Sequence, residues 1–140
     1  MHPTFILILT LLPLCDSLLG LGQLQSIAVE GKLNCYGHPI KDVKVMLYDK
    51  ELISDKKLDE KRTNGRGRFR VSGSKREFTN IDPKIDIYHK CGYQGPCYKK
   101  ITLDVPTKYI SKGDKPVQTF KVENLNLASK IEGETIACID

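Results

Sequence analysis

The sequence has no tryptophan and only three histidines among 140 residues. None of its asparagines is followed two positions later by Ser or Thr, so there is no N-linked glycosylation acceptor. No serine sits in a Gly-x-Ser-x-Gly elbow, which removes the usual frame of a serine hydrolase. No Cys-x-x-Cys pair occurs, and without it the cysteines lack the spacing of a structural zinc site. The one glycine-rich stretch, Asn64-Gly65-Arg66-Gly67, leads into an alternating segment rather than a helix, so it lacks the dipole that holds phosphates. Glycine (11) and proline (7) are near average, which excludes collagen-like and Pro-rich chains. What remains is 40% hydrophobic and 28% charged, a globular composition of single-domain length.

The first residues read as a targeting segment rather than as fold. Residues 5–14 are apolar apart from Thr10 and Pro13, and small residues follow at Gly20 and Gly22. Ten such residues are too short for a bilayer core of ~30 Å, which needs about 20 as a helix, and Asp16 and Gly20 break the stretch that follows. The expectation is a secretory signal peptide over 1–22, cleaved after Gly22, followed by one domain over 23–140. Asp16 is the only Asp, Glu, Lys or Arg in the leader, so the remainder has 22 basic against 16 acidic residues. No later segment offers a transmembrane span, and the expected location is extracellular.

That compartment gives the cysteines their meaning. Cys15 falls in the leader, leaving Cys35, Cys91, Cys97 and Cys138, an even number in a secreted chain and hence two disulfides. Cys91 and Cys97 flank GYQGP, which reads as a hairpin turn, so the expected pairs are Cys91–Cys97 and Cys35–Cys138. Chain entropy would then assign about 4.7 kcal/mol to the long loop and roughly 2.4 to the short one.

Period-two alternation dominates from Ser26 onward. Ile27, Val29, Gly31, Leu33 and Cys35 share one face of a strand. Val43, Val45 and Leu47 mark a second. Residues 49–64 are polar and read as a solvated connection with a helical turn near 53–58. Phe69 and Val71 mark a third strand, with Arg66, Arg68 and Arg70 on its other face, and Gly73 and Ser74 at its end. Phe78 and Ile81 read as packing anchors. Ile85 and Ile87 mark a fourth strand. Ile101, Leu103 and Val105 mark a fifth, which Pro106 ends, and residues 107–113 suit one short helical turn. Phe120 and Val122 lie in the last clear strand. About seven short strands with little helix describe an all-β two-sheet sandwich.

Few residues suggest chemistry. His38 precedes a proline in a turn and reads as exposed. His89, near a strand end, reads as a packing or hydrogen-bonding residue. No metal-ligand set or cofactor motif is present. The cationic cluster Arg66, Arg68, Arg70, Lys75 and Arg76 is the candidate site. It reads either as the solvated face of a sandwich or as a contact for an anionic surface such as acidic lipid heads or a sulfated glycan. Nucleic acid does not suit a secreted chain, and the net charge alone argues only for solubility and nonspecific attraction.

Several runs resemble one family. Val29-Glu30-Gly31-Lys32-Leu33-Asn34-Cys35 and Val43-Lys44-Val45-Met46-Leu47-Tyr48-Asp49 look like the opening of the nematode transthyretin-like family. Thr63-Asn64-Gly65 through Phe69, then Glu77-Phe78-Thr79 with Ile81-Asp82-Pro83, continue the pattern. Ile87-Tyr88-His89-Lys90-Cys91 with Cys97, and Val105-Pro106 with Lys108-Tyr109, complete it over nearly all of 26–138.

The resemblance implies a transthyretin-like sandwich with one short helix, secretion, and non-enzymatic adaptor or signalling roles. The implied partners are an extracellular protein receptor or an anionic membrane surface, with bridging of the phosphatidylserine type among the roles. Related proteins suggest two alternatives. A hydroxyisourate hydrolase carries a C-terminal Tyr-Arg-Gly-Ser motif, where this sequence has Ile136-Ala137-Cys138-Ile139-Asp140. A carrier of small apolar ligands would need a channel or cavity.

Overall fold

The computed structural model describes residues 22–138. The expected signal peptide lies outside them, save for its last residue, Gly22. The described residues form ten strands: β1 (Gln23–Cys35), β2 (His38–Pro39), β3 (Lys44–Asp49), β4 (Lys56–Arg62), β5 (Arg68–Glu77), β6 (Pro83–His89), β7 (Tyr98–Asp104), β8 (Ser111–Lys112), β9 (Phe120–Asn126) and β10 (Thr135–Ala137). One 3-10 turn among the described residues, Thr107–Tyr109, falls inside the expected helical segment.

The strands form two five-stranded sheets. In sheet A, β1 is central, pairs antiparallel with β5, β2 and β8, and pairs parallel with β9. In sheet B the order is β10-β7-β6-β3-β4, all antiparallel. The alternation explains the core directly. Ile27, Val29, Leu33, Phe69 and Val71 from sheet A meet Val45, Leu47, Ile85, Ile87 and Ile101 from sheet B. Burying such side chains contributes roughly 1.5–3 kcal/mol each against full exposure. This is the all-β two-sheet sandwich that the sequence predicts.

Gly31 and Gly67 permit close approaches that a side chain would block. A Cβ at Gly31 would lie 2.4 Å from the Val122 carbonyl oxygen and 2.8 Å from the Phe69 ring. Gly67 has φ +75° and faces the Leu33 carbonyl oxygen, to which a Cβ would come within 2.3 Å. Gln25, buried on β1, pins the β5–β6 connection. Its Nε2 donates to the Thr79 carbonyl at 2.7 Å, and its Oε1 accepts from the Ile81 N–H at 2.9 Å.

The disulfide pairing corrects the sequence expectation. The bridges are Cys35–Cys91 and Cys97–Cys138, not Cys91–Cys97 and Cys35–Cys138. Cys35 extends the inward row of β1 and Cys91 the inward row of β6, so the first bridge joins the two sheets. The β10–β7 register runs Thr135 to Lys100, Ile136 to Lys99 and Ala137 to Tyr98. One further step sets Cys138 opposite Cys97. The bridges close loops with separations of 56 and 41 residues, so chain entropy assigns about 4 kcal/mol to each.

Three other expectations change. Residues 56–62 are strand β4, not a solvated connection with a helical turn. This strand lies at a sheet edge, where lysines and acids are tolerated and discourage further pairing. Its Asp59 Oδ2 accepts from the Ser72 N–H at 2.9 Å, linking the edges of the two sheets. The third expected strand does not stop at Gly73 but runs to Glu77 as part of β5. Ile81 is a buried anchor as expected, whereas Phe78 is 71% exposed and anchors nothing.

Candidate functional site

The β1–β5 register sorts the basic cluster. Arg68 lies opposite Lys32, Arg70 opposite Glu30, and Arg76 opposite Leu24. Side chains on a strand alternate between faces, so Arg68, Arg70 and Arg76 share the outer face of sheet A while Phe69 and Val71 point inward. Arg66 is not on the strand. It sits in the turn before β5, where its N–H donates to Asn64 Oδ1 at 2.9 Å.

Lys75 has the opposite parity and a different task. Its ammonium donates to Asp49 Oδ2 at 3.1 Å, to Glu77 Oε1 at 2.7 Å, and to Glu51 Oε1. Burial alone would lower the Lys75 pKa. The hydrogen bonds to Glu51, Glu77 and Asp49 outweigh that and hold it well above the ordinary lysine range. At Glu77 the Lys75 hydrogen bond pulls the carboxyl down, but burial and the neighbouring Asp49 together leave it raised. The three carboxylates lie close enough to hold a cation, and the Lys75 ammonium serves as that cation. Lys75 therefore ties the β3–β4 connection to β5 and is not part of the exposed basic face.

Beside Arg68 and Arg70 lies an open groove of about 680 Å³. Glu30 and Lys32 on β1, Arg68 and Arg70 on β5, and Lys121 and Glu123 on β9 supply its charges. Arg70 donates to Glu30 Oε2 at 3.2 Å and to Thr119 Oγ1 at 3.1 Å. Lys121 approaches Glu30 Oε1 at 3.9 Å. Glu30 thus sits between two cations, and four basic residues face two acidic ones across the groove. Such partly exposed pairs contribute little to stability, about 0–1 kcal/mol. Their charge is available to steer an anionic partner.

His89 is buried, with its side chain between the sheets. Its Nδ1 accepts from the Cys91 N–H at 3.0 Å, which places the ring proton on Nε2. That nitrogen lies 3.7 Å from Glu134 Oε2, and neither atom has a hydrogen-bond partner among the described residues. Burial pushes the His89 pKa below its ordinary 6.5. The Glu134 carboxylate opposes the shift, and the Lys99 ammonium adds to it. All four described cysteines are in disulfides, so this histidine has no described thiol to activate. His38 is exposed, as the sequence suggested.

Sequence reasoning found Arg68, Arg70 and Arg76 but missed Lys32, Lys121 and Glu30. Lys32 was legible as an outward residue of β1. Lys121 was not, because β9 pairs in parallel with a strand about ninety positions away in sequence.

Two comparisons with known proteins bear on this arrangement. A family model described as the Transthyretin-like family matches residues 30–106. Transthyretin-like protein 5 of Caenorhabditis elegans is 38% identical over 137 residues, covering 95% of this chain and 98% of that protein. Transthyretin-like protein 2 and Transthyretin-like protein 1 of the same organism are each 34% identical. The first match covers 86% of both chains; the second covers 84% of this chain and 82% of the relative. The matched family region runs from Glu30, in the groove, to Pro106, the residue immediately before the 3-10 turn. A two-sheet sandwich, a family match over more than half of the sequence and relatives aligned nearly end to end lead to one conclusion: the chain belongs to the transthyretin-like family.

Proposed function

We propose that the protein is a secreted, non-enzymatic binding module that contacts anionic cell surfaces through the outer face of sheet A. The observation that carries this reading is Arg68 and Arg70 with Lys32 and Lys121 around an open groove, and Arg76 further along the same strand face. Attraction to an anionic membrane is worth about 1 kcal/mol per Lys or Arg near the surface, so this face can hold the protein without an enclosed pocket. Two disulfides suit an oxidising extracellular setting and stiffen the scaffold that presents the face.

A protein receptor is the second partner of this reading. At the tip of the β3–β4 connection, Leu52 and Ile53 are fully exposed neighbours. Exposed apolar pairs of this kind suit contact with a protein partner. Held at different places on one rigid domain, the two contacts describe an adaptor.

Co-sedimentation with phosphatidylcholine vesicles, with and without phosphatidylserine over a salt series, tests the membrane contact. The expected result is binding only to acidic vesicles, weakening as salt rises. Equal binding to both vesicle types, or to neither at low salt, overturns it.

A further inference from the structure

The β1–β5 ladder sets two cations directly opposite one another. Lys32 faces Arg68, the next pair on the same face after the opposite-charge pair Glu30 and Arg70, with Gly31 and Phe69 between them in the ladder. Cross-strand neighbours on one face have Cβ atoms about 4.5–5.5 Å apart, and like charges there are destabilising. Neither Lys32 nor Arg68 has a side-chain hydrogen bond or ion pair among the described residues. Lys44 and Arg62, another opposed cationic pair, differ in this respect. Lys44 lies 3.9 Å from Glu60, and Arg62 donates to the Asp42 carbonyl at 2.9 Å.

The surroundings of Lys32 and Arg68 supply further donors. Both residues line the groove, together with Asn64 and Asn124. Asn64 Oδ1 accepts from the N–H groups of Arg66 and Arg68, at 2.9 and 3.0 Å, which fixes the side chain and leaves its amide NH₂ without a partner among the described residues. Glu30 is already shared by Arg70 and Lys121. Glu123, near the irregularity where β9 passes Lys32, is the groove carboxylate with no ion pair among the described residues. A guanidinium and an ammonium facing one another, with an amide donor beside them, suit a tetrahedral oxyanion. The groove is much larger than one such group, which leaves room for the molecule that carries it.

We propose that Lys32 and Arg68 form the seat for a phosphate or sulfate group on a larger ligand, with Asn64 as a third donor and Glu123 as an internal competitor. The proposal rests on the anionic-surface reading and adds to it a discrete site at one end of the cationic face.

Amide NMR of the disulfide-bonded domain, titrated with inorganic phosphate and with chloride at matched ionic strength, tests the seat. Phosphate is expected to shift the Gly31, Lys32, Asn64 and Arg68 amides saturably, and chloride is not. Lys32→Met should weaken phosphate binding about tenfold, the loss expected for one charge-assisted hydrogen bond. Glu123→Gln should strengthen it. Lys32→Met should melt no lower than the parent, which guards against misfolding. Shifts identical with chloride, an adventitious ion only, overturn the seat, as does unchanged phosphate affinity in Lys32→Met.

Vesicles separate the seat from the broader reading. Loss of both phosphate and acidic-vesicle affinity in Lys32→Met places a lipid headgroup in the seat. Saturable phosphate binding that Lys32→Met weakens, without any binding to acidic vesicles, keeps the seat for a soluble ester and removes the membrane reading. Acidic-vesicle binding with no response to phosphate keeps the membrane reading and removes the seat.

Discussion

The outer faces of the two sheets treat charge in opposite ways. On sheet B, Asp86 is nearly buried, accepts from Thr102 Oγ1 at 2.7 Å, and lies 3.3 Å from Lys84 Nζ. Lys84 also reaches Asp55 at 3.0 Å, and its side chain is only 12% exposed. Those charges are enclosed and mutually satisfied. On sheet A, Lys32 and Arg68 oppose one another unpaired beside an open groove. Enclosed charges hold a fold together because losing one partner strands the other. Open, unpaired charges of one sign contribute little to folding and remain available to a partner. Under the proposed function, sheet B serves structure and sheet A serves recognition.

The largest expected effect comes from unfastening the faces from one another. Replacing Cys35 and Cys91 with Ala should cost about 4 kcal/mol in urea unfolding, from loop entropy alone. Next comes Asp86→Ala on sheet B, which leaves nearly buried Lys84 with one fewer carboxylate and should cost about 2–3 kcal/mol in the same assay.

A smaller effect lies between the sheets and appears with acid. The unfolded chain protonates His89 below about 6.5, while the folded protein keeps it neutral to lower pH. The unfolded state therefore binds more protons in that window. Stability should fall as pH drops below 6.5 and level off below the folded pKa. His89→Asn removes this titration, and urea midpoints measured across the window should depend less on pH than in the parent. Smallest of all is Lys32→Met on sheet A. It should change stability by about 0.5 kcal/mol or less, on the favourable side, because it removes a like-charge opposition. A large loss there would erase the distinction between the faces.

The sequence carried the interior well because period-two alternation is a local signal. Val45, Leu47, Ile85 and Ile87 all point inward as the pattern implies. Strand β4 was hidden because its stability comes from an edge position and from Leu58, Asp59 and their neighbours, not from an apolar row. The disulfides were misassigned because a short spacing suggested a hairpin bridge. The parity that places Cys35 and Cys91 on facing inner rows was readable. The partner of Cys97 was not, since it depends on β10 pairing with β7. The candidate site was half legible: parity alone separates Lys75 from Arg68, Arg70 and Arg76. The groove itself requires the parallel β1–β9 pairing, which no local pattern announces.

One comparison of matched variants tests the division most directly. Replacing Arg68, Arg70 and Arg76 on sheet A with Gln removes three positive charges, as does replacing Lys56, Lys57 and Lys61 on β4 of sheet B. With acidic vesicles at low salt, the account predicts that the first variant loses most of its binding and the second keeps it. Equal losses would show that only net charge matters, and would contradict a dedicated recognition face.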